Sequence, residues 1–153
     1  MAVATEPVPM IDPDRVLVPT LGRPREDEAL AYALETFPDA EITLLAVVTP
    51  LDAPLSEGGV LERSEDRSSQ ARSSAADLLE SVAGPTATAR VRVEAVEGRP
   101  GTIIPQYASD ADVDHVVMYG HGSDTRGFVR RFLGRGIAAT VVERTSRPVT
   151  VLE

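Results

Sequence analysis

Between Met118 and Gly136 the chain reads MYGHGSDTRGFVRRFLGRG, five glycines and four arginines within nineteen residues. Glycine lets a backbone approach a ligand closely and turn its amides toward it, and guanidinium groups offer planar pairs of donors. That composition suits an anion such as phosphate. From Gly120 to Leu152 the chain carries Arg126, Arg130, Arg131, Arg135, Arg144 and Arg147 against Asp124 and Glu143, a local charge of +4 where the whole chain has -9. A phosphate finds its most favourable potential there. Gly120, Gly122, Gly134 and Gly136 would offer amides, Arg135 or Arg126 charge, and His121 an imidazole able to donate to a phosphate or a sugar hydroxyl. A plainer reading stands beside this one: Arg130 and Arg131 as solvated helix residues, His121 as an exposed loop residue and the glycines as turn formers.

Other chemistries fit less well. A phosphate-loop NTPase or a phospho-receiver domain needs a lysine, and all fifteen basic residues are arginine. Ser123 lies in GHGSD beside His121, but a nucleophile elbow would need glycine where Thr125 stands. A slow nucleotide hydrolase lacks a visible base or metal-ligand set, since Asp124 is the only acid in the loop. The absence of cysteine removes thiolate nucleophiles, disulfides and zinc-thiolate sites, and two histidines make a poor basis for a metal site.

The elements that must position this segment follow from hydrophobic patterning. RVLVPT (15–20) and EITLLAVVT (41–49) are β-branched apolar runs that predict buried strands. Between them EDEALAYALETF sets Leu30, Ala33, Leu34 and Phe37 on one helical face and Glu26, Asp27 and Glu28 at its start. The stretch 61–83 predicts a helix with Ala71, Ala75, Leu78, Leu79 and Val82 inward and ERSEDRSSQARSS as a solvated face. RVRVEAV (90–96) alternates as an edge strand does. GTIIPQYASD predicts a short helix capped by Thr102 with Pro105 in its first turn. HVVMYG is strand four, with His115 half-buried and Tyr119 at the mouth of a cleft. IAATVVERT (137–145) is a helix with Ile137, Val141 and Val142 inward, and RPVTVL is strand five. Five strands alternating with helices predict one α/β domain: an open parallel sheet covered on both faces. Ligands collect beyond the carboxyl ends of such strands, where strand order reverses.

The order and spacing of DRVLVPT, LLAVVTP, GRPGTII and HVVMYGHG…FLGRG…RPVTVL over about residues 14–152 resemble the universal stress protein family. The resemblance implies a Rossmann-like sheet in order 3-2-1-4-5. It also implies a nucleotide site formed by Pro19, Thr20, Val47 facing an adenine, Met118, Gly120, Gly134 and Gly136. ATP-binding members carry Gly, two residues, Gly, nine residues, then Gly with Ser or Thr. Here Gly120 fits, Ser123 stands where the second glycine belongs with Gly122 one place early, Gly134 lies one place late, and Arg135 replaces the hydroxyl. Leu21 stands where those members have aspartate after PT. Two lost anchors at about 1–3 kcal/mol each would weaken binding about a hundredfold or more. Arg135 then either donates to a phosphate or fills an emptied pocket.

The expectation is a universal-stress-type regulatory homodimer that binds ATP or AMP, with Mg2+, or another phosphate anion weakly and without turnover. The alternative is a stress-linked interaction dimer that binds no nucleotide. Dimerisation through the last strand, Pro148 to Leu152, is implied by the resemblance, and it would cover an apolar sheet edge that Pro148 and the chain end otherwise guard. The first thirteen residues read as a loose tail without a secretion signal, and 14–153 as the domain. The longest apolar run, 42–48, is too short to span a bilayer, so a cytoplasmic address is expected. The acidic balance argues against nucleic acid as a partner. A lysine-free acidic surface suits a high-salt, halophilic cytoplasm, although biased codon usage would also remove lysine.

Overall fold

The computed structural model describes residues 13–49, 60–120 and 136–153. The elements run β1 (Arg15–Thr20), α1 (Glu26–Thr36), β2 (Glu41–Val48), α2 (Val60–Val82), α3 (Pro85–Thr88), β3 (Val91–Glu97), α4 (Pro100–Asp110), β4 (His115–Tyr119), α5 (Ile137–Arg144) and β5 (Val149–Leu152). All four strand pairings are parallel, in the order β3-β2-β1-β4-β5. Strand order therefore reverses between β1 and β4.

Alternating side chains divide the core into two layers. Val16, Val18, Ile42, Leu44, Ala46, Val117 and Tyr119 face a layer closed by Ala29, Leu30 and Ala33 of α1 and Ala75 and Leu79 of α2. Leu17, Leu45, Val47, Val116 and Met118 face a second layer closed by Ile104 and Ala108 of α4 and Val141 of α5. Between their end residues the central strands are near-continuous apolar runs, broken by Thr43 in β2, because both faces are covered. Edge strand β3 keeps its alternation and has no fully buried residue. One guanidinium ties the far end of α1 to that edge: Arg90 donates to the carbonyls of Leu34, Phe37 and Ala40 at 2.8–3.0 Å.

Four local expectations are corrected. Arg99, not Thr102, precedes α4, because Pro100 presets the helical φ of the first position; Thr102 lies inside the first turn. Pro105 is consequently interior to the helix and has no N–H for Gly101's carbonyl. Val142 is 47% exposed: on α5 the inward stripe runs through Ile137, Ala138 and Val141, and one further residue turns about 100° toward solvent. Tyr119 is buried against the α1 layer with the Arg25 guanidinium 5.2 Å above its ring, not open to a cleft. His115 is half-buried as expected; its Nε2 is 2.8 Å from the Thr150 hydroxyl, and burial lowers its pKa below the usual imidazole value. The N-terminal segment 1–12 lies outside the described residues.

Candidate functional site

The turn after β1 carries the densest polar arrangement in the described structure. After Thr20 the chain passes through a left-handed conformation at Gly22 (φ 78°), which glycine adopts without steric cost, and again at Arg25 (φ 72°), where an L side chain strains. Arg25 is held there by an ion pair with Glu28 at 3.0 Å and by its stacking on Tyr119. This path turns three successive amides inward. The carboxylate of Glu26, first residue of α1 and 4% exposed, fills the concavity they make. Its Oε1 accepts from the Thr20 hydroxyl at 2.6 Å and from the amides of Gly22 and Arg23, both at 3.1 Å; Oε2 accepts from the Leu21 amide at 2.8 Å. Successive amides in this conformation form an anion-binding nest, and here the anion is the protein's own.

Beside the nest a cavity of about 520 Å3 opens among the carboxyl ends of β1 and β2, the β1–α1 turn and α2. Thr20, Leu21, Gly22, Arg23 and Glu26 line one wall; Val47, Val48 and Thr49 lie at the strand ends. From α2 come Arg67, Gln70 and Ser74, spaced three and four residues apart and so on one helical face, with Ala71, Ala75 and Leu78 deeper. A guanidinium N–H of Arg67 donates to the Thr49 carbonyl, fixing the mouth. The cavity lies in the size range of small-molecule sites, and its lining joins an apolar floor of Ala71, Ala75 and Leu78 to polar groups from the turn and from α2.

The sequence-predicted residues fall as follows. Thr20 and Val47 line the cavity, and Pro19 and Met118 are buried beneath the strand tips, Met118 in the α4/α5 layer. Thr20's hydroxyl is engaged by Glu26. Gly120 corrects the expectation of an available donor: its amide donates a hydrogen bond to the Leu152 carbonyl at 2.7 Å. A Cβ on Gly120 would stand 2.6 Å from Val151 Cγ1, so this glycine is required by the approach of β5. Gly136 caps the N-terminus of α5 in an extended conformation, and its carbonyl accepts from the Thr140 amide. His121, Gly122, Arg126, Gly134 and Arg135 lie outside the described residues. Leu21 borders the cavity and packs on the α4/α5 layer, with no oxygen to offer.

Sequence reasoning missed Arg67, Gln70 and Ser74, reading them as a solvated face. Their signal was present: a polar row flanked by Ala71, Ala75 and Leu78 at helical spacing. It also treated Glu26 as a dipole-complementing residue, whereas its main partners are the amides before it. Among the described residues no group of three or more His, Asp or Glu stands together as a metal site would require, and no helix is long and apolar enough to cross a membrane.

A parallel sheet in this order, with a cavity at its carboxyl end, defines a Rossmann-like α/β protein. Comparison of sequences and folds narrows that class. The profile of the Universal stress protein family matches residues 13–153, and the chain belongs to that family. A crystal structure of a universal stress protein in complex with cAMP superposes with a TM-score of 0.68 at 18% identity, covering 94% of this chain and 99% of that one. UspA from Lactobacillus plantarum gives 0.70 at 20% identity over 91% and 97%. The Archaeoglobus fulgidus universal stress protein in complex with dAMP gives 0.52 at 15% identity over 94% and 100%. No curated protein matches the sequence.

Proposed function

We propose that this chain is a cytoplasmic regulatory protein of universal stress type that binds an adenine nucleotide weakly and without turnover, and acts as a homodimer. The observation that carries the reading is the 520 Å3 cavity, bordered at the strand ends by Thr20 and Val47, two of the residues the family resemblance assigns to a nucleotide, and by Leu21, which stands where relatives have aspartate. The cAMP and dAMP complexes of similar folds support adenine compounds as the ligand class. Weakness is expected because the Leu21 side chain offers no acceptor and the Gly120 amide is spent within the sheet. Calorimetry with ATP and AMP, with and without Mg2+, and mass spectrometry of ligands retained through native purification test this. Recovery of ATP or AMP supports it; no retained ligand and no heat or melting response at millimolar nucleotide refutes it.

A second reading, an interaction dimer that binds no nucleotide, is favoured by the same engaged Gly120 amide and by Glu26 in the nest. Both readings use the β5 edge. The amides of Val116 and Gly120 reach the carbonyls of Pro148 and Leu152, so the backbone groups of Val149 and Val151 point toward the outer edge. Val151→Pro removes one outward donor and should convert dimer to monomer in sedimentation velocity. An unchanged dimer would exclude this edge as the interface.

A further inference from the structure

We infer that Glu26 sets the ligand specificity of the cavity: it occupies the anion nest of the β1–α1 turn, so this corner shuts out phosphate. The inference rests on the proposed reading of the cavity as an adenine-compound site and deepens it. It assigns the uncharged end of the ligand to the Glu26 wall, with any phosphate lying away from it.

Three convergent amides and a hydroxyl are the donor set that holds phosphate in nucleotide-binding turns. Here all four donate to one carboxylate at 2.6–3.1 Å. A phosphate entering the corner would have to displace a buried charge from four donors while bringing a like charge within a few ångströms of it. Like charges at that separation in a partly buried site repel strongly. The lining also carries two cations: Arg67 on α2, away from the nest, and Arg23, whose own amide belongs to it. A charged ligand end has its favourable potential at the Arg67 side of the cavity rather than at the carboxylate in the nest.

The test uses the full chain and inorganic phosphate as probe, read by amide NMR at residues 21–23. In the unaltered protein, phosphate at tens of millimolar should leave the Leu21, Gly22 and Arg23 amides in place. In Glu26→Ala the three should shift together and saturably, and the affinity for AMP relative to adenosine should rise about tenfold or more, the effect of one regained charged contact. Movement of those amides in the unaltered protein, or their immobility in folded Glu26→Ala, overturns the inference. If Glu26→Ala fails to fold, Glu26→Ser empties the nest while keeping a residue suited to a helix start. Under the same titration, movement of the three amides supports the inference and immobility overturns it. If the unaltered protein binds neither adenosine nor AMP, the proposed function fails, while the phosphate titration still decides the role of Glu26.

Discussion

Arg90→Ala removes one side chain that closes three backbone acceptors. Its Nη1 donates to the Phe37 carbonyl at 3.0 Å and to Ala40 at 2.8 Å, and its Nη2 to Leu34 at 2.8 Å. Leu34 lies in the last turn of α1 and Phe37 caps it, so the cation also complements the negative end of the helix. A hydrogen bond from a charged donor contributes about 1.5–3 kcal/mol net when its partner is buried. Arg90 is half-buried and the freed carbonyls can take water, so the three bonds together should amount to about 2–4 kcal/mol rather than their sum. For a chain of this size that lowers the melting temperature by about 5–15 °C. Urea denaturation followed by circular dichroism measures it, with the m-value unchanged if only native contacts are lost. Arg90→Lys should recover less than half, because one ammonium cannot span three carbonyls as a planar fork does. A cost below about 1 kcal/mol for the alanine variant would refute the argument that this guanidinium clamps α1 to the β2–β3 edge.

Gly120→Ala should destabilise by about 1–3 kcal/mol, since its Cβ would stand 2.6 Å from Val151 Cγ1; adding Val151→Ala should return part of the loss in a double-mutant cycle of thermal melts. Burial lowers the His115 pKa, so the unfolded chain binds its proton more tightly than the native one. Stability from this residue is fully present above the unfolded value near 6.5, falls as pH drops through the lowered native value, and should lose that dependence in His115→Gln, measured by melts from pH 8 to 5. Leu21→Asp restores a polar side chain at the cavity wall and should tighten ATP by about tenfold in calorimetry, the effect of one hydrogen bond to a buried ligand group; unchanged affinity would show that the leucine is not what weakens the site.

What the sequence determined by itself is the alternation of elements and the parallel, doubly covered sheet. Runs such as VLV and LLAVV are apolar at every position only where both faces are buried, and RVRVEAV keeps its alternation only at an edge. These are local regularities, and they survived into the fold with boundaries shifted by two residues or fewer, apart from the earlier start of α4 at Pro100. The family resemblance was legible in the order and spacing of DRVLVPT, LLAVVTP, GRPGTII and RPVTVL, and the strand order only as what that resemblance implies. Tertiary structure decided where the donors go. Gly120 looks in sequence like an amide for a ligand, but the Leu152 carbonyl, thirty-two residues on, takes it. Glu26 looks like a helix-start acid, but the left-handed step at Gly22 folds three amides onto it. The row Arg67, Gln70, Ser74 looks solvated until the ends of β1 and β2 stand opposite. Periodicity reports which face a residue occupies, because burial repeats with the geometry of the element. Which partner satisfies a polar group depends on segments brought together by the fold, and no spacing within one element encodes that.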